Sequence, residues 1–232
     1  MKSKVFPQAL KVIRLKEEID GCMSIYFLKP HDFRFVPGDC FNLFFKEKDF
    51  NEGRIFSFSS SPTEELLQVT FRKGISKYKK RLEKVVSGDT LYFSNFGTQY
   101  EFDLSRPLIF FAGGVGITIF RSIIKLVIDK GLMPSFTLFY SNRSEDFLFQ
   151  KELNEWARQL NMPIHYISTM RQGRLTGENV VNLIPTISNV KYAHYIVGPP
   201  MMVDATNEML LSLNVDSANI YTDSFDGYFE ES

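Results

Sequence analysis

A short apolar run that ends in glycines and then resumes with helical spacing leaves few folds open. Leu108-Ile-Phe-Phe-Ala-Gly-Gly-Val-Gly-Ile-Thr118 is such a run. Leu108 to Phe111 read as a strand of the parallel kind, apolar on both faces. Gly113, Gly114 and Gly116 then make a turn in which no Cβ keeps a ligand away from backbone N–H groups. From Thr118 the spacing of Ile119, Ile123, Leu126 and Val127 predicts a helix, and Gly131 is placed to stop it. A helix begun there turns its positive dipole end and free N–H groups toward an anion. Strand, glycine turn, helix is the setting of a dinucleotide site. The spacing departs from Gly-x-Gly-x-x-Gly, because Ile119 occupies the third glycine position. Taken alone, the stretch is equally a tight turn that packs a helix on a sheet.

On either side of this junction the rhythm of the chain differs. Up to about residue 104 it reads as short alternating strands: Val12 to Leu15, Met23 to Phe27, Cys40 to Phe45, Ile55 to Phe58, Leu67 to Phe71 and Leu91 to Phe93. Pro37-Gly38 and Ser87-Gly88-Asp89 supply turns, and one helix interrupts, roughly Ser76 to Val85. Such spacing predicts a six-stranded antiparallel β-barrel. Beyond Pro107 strands and helices alternate, which predicts a parallel α/β sheet with helices on both faces. There Phe136 to Tyr140, Ile164 to Ser168, Ala193 to Val197 and Ile220 to Thr222 read as strands. The helices between them are one capped by Ser144 that places Phe149, Leu153, Trp156 and Leu160 on one face, one near Glu178 to Leu183, and one from Met202 to Leu213. The expected domains are therefore 1–104 and 105–232, and 232 residues suffice for two cores.

Bulk properties exclude several classes. Apolar residues make up 44% and aromatics 15%, too many for disorder, and a net charge of zero argues against nonspecific nucleic-acid binding. Cys22 and Cys40, each in an apolar neighbourhood, read as reduced core thiols, and two cysteines cannot build a zinc or iron–sulfur site. His31, His165 and His194 are too scattered to pair as ligands, so no metal is expected. Met201, Met202 and Met209 fit a helix core. With neither a signal peptide nor an apolar stretch of membrane-spanning length in view, the expected compartment is the cytoplasm.

Two stretches of the barrel half carry side chains suited to a cofactor. In Arg54-Ile-Phe-Ser57 a guanidinium can hold a pyrophosphate by two parallel bonds, Phe56 offers a flat face to an isoalloxazine ring, and the Ser57 hydroxyl can donate to or accept from flavin N5. Strand alternation puts Arg54 and Phe56 on one face and Ser57 on the other unless the strand ends or bulges there. Alone, the tetrad is more often a surface arginine beside a core phenylalanine. Val69-Thr-Phe-Arg-Lys-Gly-Ile-Ser76 again runs from a strand through glycine to a helix start, either a second anion site or a plain connection with Ser76 as N-cap. Lys77, Lys79, Lys80, Arg81 and Lys84 crowd the helix that follows, as a solvated face or as a docking patch for an acidic protein carrier.

In order, Arg54-Ile-Phe-Ser57, Gly74-Ile-Ser76, Phe96-Gly97, Gly113-Gly-Val-Gly-Ile-Thr118, Tyr140-Ser-Asn-Arg143, Gly198-Pro-Pro-Met201 and Asp223-Ser-Phe225 resemble the ferredoxin–NADP reductase superfamily. The resemblance spans nearly the whole chain. It implies a flavin-binding barrel followed by a nicotinamide-nucleotide domain. By that likeness Arg54 holds the flavin phosphates, Phe56 stacks on the ring and Ser57 sits near N5, while Thr70, Phe71, Gly74, Ile75 and Ser76 cradle the ribityl and pyrophosphate. Gly114, Gly116 and Thr118 meet the nicotinamide nucleotide, Ser141 and Arg143 its adenosine ribose, and Gly198 and Pro199 its nicotinamide end. Three positions depart from the family: Phe56 stands for a common tyrosine, Val197 for a cysteine before the Gly-Pro pair, and Asp223 with Phe225 or Tyr228 for a C-terminal glutamate and a ring-shielding aromatic.

The expectation is a flavin-dependent NAD(P)H oxidoreductase that hands electrons to an external protein acceptor such as a ferredoxin, a flavodoxin or an oxygenase component. Hydride passage between stacked rings needs position rather than a protein acid or base, so the absence of an evident catalytic histidine fits. FAD is favoured over FMN because Arg54 and the Gly74–Ser76 turn suit a pyrophosphate. NADPH and NADH both remain open as substrate, with Arg143 and Arg174 within reach of a 2′-phosphate. The alternative is a non-catalytic nucleotide-binding or electron-transfer module of a larger assembly, which the substitution at Val197 favours.

Overall fold

The structure, a computed structural model, describes residues 7–98 and 101–225, and of Phe50, Asn95 and Phe96 only the backbone. Tyr228 therefore lies outside the described residues. The chain divides into two compact units, 1–101 with 121–126, and 102–120 with 127–232.

The first unit is a six-stranded antiparallel sheet. Its strands are β1 (Gln8–Ile19), β2 (Cys22–Leu28), β3 (Cys40–Phe44), β4 (Arg54–Ser57), β5 (Leu66–Arg72) and, after the short helix α1 (Lys77–Leu82), β6 (Thr90–Gly97), in the order β4-β3-β6-β1-β2-β5. A single bridge between Phe58 and Val69 brings the end of β4 to β5, so the two edges of the sheet meet. Inward-facing residues alternate along every strand, and Leu10, Ile25, Phe27, Leu43, Leu67, Val69 and Phe93 are fully buried. The opposite face of β5 is buried as well, but polar. Thr70 Oγ1 lies 2.7 Å from Ser24 Oγ and 2.8 Å from Ser59 Oγ, and Gln68 Nε2 donates to Ser24 Oγ at 2.9 Å and Tyr26 Oη at 3.0 Å. Buried hydroxyls and amides must find partners, and here they find each other. Arg121, 4% exposed, extends this polar layer: it donates to Ser59 O at 2.7 Å and grips Glu64 with two bonds at 2.9 and 3.1 Å.

The second unit is a five-stranded parallel sheet. β7 (Leu108–Gly113) leads through a 3-10 turn (Gly114–Gly116) into α2 (Ile117–Asp129), followed by β8 (Phe136–Asn142), α3 (Gln150–Leu160), β9 (Ile164–Ser168), α4 (Thr169–Gln172), α5 (Gly177–Leu183), β10 (Ala193–Gly198), α6 (Pro200–Ser212) and β11 (Ile220–Ser224). Strand order is β11-β10-β7-β8-β9. Phe120 of α2 stacks on Phe110 at 4.4 Å, while on the other face Phe111 and Phe139 stack at 5.0 Å in a core shared with Val180 and Val203. Helices therefore cover both faces, as an all-parallel sheet requires. Below the amino ends of the strands, the Arg106 guanidinium donates to the carbonyls of Val190 (2.7 Å), Lys191 (3.0 Å) and Tyr192, and to Asn219 Oδ1 (2.8 Å).

Most expected elements are present, and Gly131 ends α2 with φ +62°. Three expectations need correction. Ser144 does not cap α3: its Oγ accepts from Asp146 N at 3.3 Å, and the helix begins six residues later, after Phe149 in left-handed backbone. Burial of Phe147, Leu148 and Phe149 dictates that detour. Met201 is 73% exposed, because α6 turns Met202, Val203, Met209 and Leu210 to the core instead. Cys40 is only half-buried, though Cys22 is in the interior, and neither forms a disulfide.

His194 is buried with Nε2 3.2 Å from Ile187 O and Nδ1 3.3 Å from Asn219 O. A neutral ring can donate to only one of these, yet burial outweighs the second bond and depresses the imidazole to about 4. The fold thus holds the neutral form, and its contribution is complete above the unfolded value near 6.5 and is lost as pH falls through about 4. Urea unfolding across this window should show the advantage of wild type over His194→Asn shrinking by on the order of 1–3 kcal/mol. Parallel stability curves for the two proteins would rule this out.

Candidate dinucleotide and flavin sites

In the first unit, β4 pairs with β3 in the register Cys40–Ser57, Phe41–Phe56 and Leu43–Arg54. No irregularity interrupts this pairing, so Arg54 and Phe56 share one face and Ser57 lies on the other, buried beside Cys40. Arg54 Nη1 donates to Gly53 O at 2.9 Å and Glu52 O at 3.2 Å, and its guanidinium lies 5.4 Å from the ring centre of Tyr78. Phe56 is half-buried and stacks against the same tyrosine at 6.2 Å and 26°. Tyr78 is held in turn by donating to Leu43 O at 2.7 Å, and burial raises its phenol well above the ordinary value. Sequence reasoning missed this residue. Its one signal is an aromatic four positions before Leu82 in an otherwise cationic helix.

The residues of the second stretch divide by chemistry. Thr70 spends its hydroxyl on the buried network and Phe71 sits in the core, so each offers a ligand only its backbone. Gly74 N donates to Glu83 Oε1 at 3.2 Å, which shows an amide already turned to a negative charge. Ile75 is 92% exposed, and Ser76 caps α1 by accepting from Lys79 N at 3.2 Å. A guanidinium, a flat half-buried ring, an exposed aliphatic side chain and a glycine amide that already binds a carboxylate form a set that fits a phosphate-bearing flavin.

In the second unit, parallel pairing brings the carboxyl ends of β7, β8 and β10 to one edge. The chain runs from β7 to β8 and β9 on one side and returns to β10 on the other, so the switch point lies between β7 and β10, where open α/β sheets bind ligands. Backbones meet there without side chains between them. A Cβ on Gly116 would lie 2.2 Å from Val197 O, and one on Gly198 would lie 3.0 Å from Gly113 Cα. Gly114 has φ +53°, and its carbonyl accepts from Tyr140 Oη at 3.1 Å, a prop that sequence reasoning also missed. Thr118 Oγ1 donates to Val115 O at 2.9 Å, tying the first turn of α2 to the glycine turn.

The remaining expected residues stand around this edge. Ser141 pairs with Gly113 and is half-exposed; Arg143 follows β8, exposed. Gly198 ends β10 and its carbonyl accepts from Phe225 N at 2.9 Å, with Pro199 and Pro200 opening α6. Asp223 pairs with Val197, and burial pushes its carboxyl up.

Residues 110–208 match the family described as oxidoreductase NAD-binding domain. Ferredoxin NADP+ reductase from Neisseria gonorrhoeae, solved with bound FAD and NADP, superposes with a TM-score of 0.79 at 18% identity over 94% of this chain and 98% of its own. The fold is that of ferredoxin–NADP reductase, and the second unit matches an oxidoreductase NAD-binding domain. Among curated relatives, the anthranilate 1,2-dioxygenase electron transfer component of Acinetobacter baylyi is 26% identical over 82% of this chain and 58% of its own length. Sulfhydrogenase 2 subunit gamma of Pyrococcus furiosus is 31% identical over 62% and 51%. The chain thus spans little more than half the length of these relatives.

Within this NAD-binding domain the contact at Gly116 has no room to relax, since the obstacle is backbone. Gly116→Ala should lower unfolding stability by about 3 kcal/mol or more, measured by urea titration. A loss under about 1 kcal/mol would mean that β7 and β10 do not meet as described.

Proposed function

We propose that this reductase-like chain takes electrons from NADPH or NADH and passes them through bound FAD to a separate acidic protein acceptor, a ferredoxin, a flavodoxin or an oxygenase component. The observation that carries it is the pairing, in one chain, of the Arg54–Phe56–Tyr78 cluster with a glycine-lined switch point. The flavin, when bound, supplies the exchange between a two-electron donor and a one-electron acceptor. Every other part is positioning.

In this reading residues 1–104 form the flavin domain and 105–232 the nicotinamide-nucleotide domain. Arg54 holds phosphate, Phe56 gives a stacking face, and Ser57, at the end of β4, meets the edge of the ring at N5. The backbones of Thr70 and Phe71 and the Gly74–Ser76 turn hold the ribityl and pyrophosphate. Gly114, Gly116 and the first turn of α2 at Thr118 take the dinucleotide phosphates, Ser141 and Arg143 its ribose, and Gly198 and Pro199 the nicotinamide, with Phe225 shielding the ring. Exposed Lys77, Lys80, Arg81 and Lys84 on one short stretch support an acidic acceptor. The A. baylyi relative is named as the electron transfer component of a dioxygenase, which agrees with an oxygenase partner. Among the described residues no helix is long and apolar enough to cross a membrane.

The purified protein should be yellow, and anaerobic addition of NADPH or NADH should bleach its absorption. A colourless protein without diaphorase activity would favour the second reading, a non-catalytic module, to which Val197 in place of the family's cysteine lends some support. Arg143 beside the ribose position points to a mild preference for NADPH. Arg143→Ala should weaken NADPH about tenfold and NADH much less in steady-state titrations, as expected for losing a charge-assisted bond to phosphate. Equal losses would remove the ground for that preference.

A further inference from the structure

The loops that follow β8 and β9 are laced together. Arg143 O accepts from Met170 N at 3.1 Å and from Ser168 Oγ at 3.4 Å, and two residues further on Glu145 pairs with Arg171. Both partners of that pair are largely exposed, with 64% of the Glu145 side chain and 74% of the Arg171 side chain open to solvent. Arg143 and Arg174 are exposed as well. Three guanidiniums, one on α4 and two on the segments beside it, thus lie on the joined connections after β8 and β9 at the carboxyl end of the sheet, and a carboxylate occupies one of them.

In a sheet wound this way the loop after the second strand of the nucleotide-binding half faces the adenosine ribose. A free 2′-hydroxyl there needs an acceptor, and a 2′-phosphate needs cations. We propose that Glu145 is the specificity-determining residue for the 2′ position. Its carboxylate accepts from a 2′-hydroxyl, and it opposes a 2′-phosphate in two ways, by its own charge and by engaging Arg171. Glu145 therefore limits the preference for NADPH that the arginines create. This inference rests on the dinucleotide reading of the same edge.

The adenosine halves 2′,5′-ADP and 5′-AMP test it without any hydride transfer. Calorimetric titration of full-length Glu145→Gln should show 2′,5′-ADP binding about five- to tenfold more tightly than to wild type, since a like charge is removed and a cation released. Affinity for 5′-AMP should stay the same or fall. The gain should shrink at high ionic strength, because the groups are exposed. In Glu145→Gln/Arg171→Gln the gain should fall to within about twofold of wild type, which isolates the released guanidinium. An unchanged ratio of the two affinities in the single variant, or a gain that survives in the double variant, would overturn the proposal while leaving the dinucleotide site standing. Failure of both nucleotides to bind wild type and variants alike would instead overturn the dinucleotide reading and this inference with it. Thermal unfolding should be nearly unchanged in both variants, as an exposed ion pair contributes little to stability.

Discussion

The carbonyl of Val197 sits where a side chain at position 116 would have to be. This backbone-to-backbone approach sets the geometry of the second unit, because it lets the turn after β7 close on the end of β10. Gly113 and Gly198 extend the same contact along the seam. Only main chain lies between the two strand ends, and at the start of α2 the amide of Ile117 donates back to the carbonyls of Gly114 and Val115. Chemistry at this edge is consequently a matter of which backbone groups are left open, and side chains such as Tyr140 and Thr118 act on the turn by binding its carbonyls.

The first unit solves a different problem. Its strand β5 is buried on both faces, one by the aliphatic and aromatic core and one by hydroxyls that satisfy each other. That arrangement explains how a threonine and a phenylalanine in a motif associated with ligand binding can both be internal. The cationic groups of β4 and α1 remain exposed or half-exposed, while Tyr78 belongs to the core and Phe56 packs partly against it.

Much of this was legible in the sequence because it follows from periodicity and glycine. Alternation located the six barrel strands, and the run from Leu108 to Thr118 located the sheet, the turn and the helix. What stayed hidden depends on tertiary contact. Tyr78 and Tyr140 work through hydroxyls aimed at distant carbonyls, for which no local pattern exists. The four residues of α4 are too few to show a period, and Ser144 was a plausible cap until burial of the next three apolar residues moved the helix start. At position 201 the choice between two adjacent methionines turns on the rotation of α6, which only packing fixes.

Arg106 gives the last feature its weight. It stands two residues ahead of the start of β7 at 108 and ties itself to the carbonyls just before β10, while the glycine seam joins the same two strands at their far ends. A pair of beams clamped at both tips does not rock. Any accommodation of differently shaped nucleotides must then fall to the neighbouring loops, and the central strands serve as the fixed jaw against which those loops adjust.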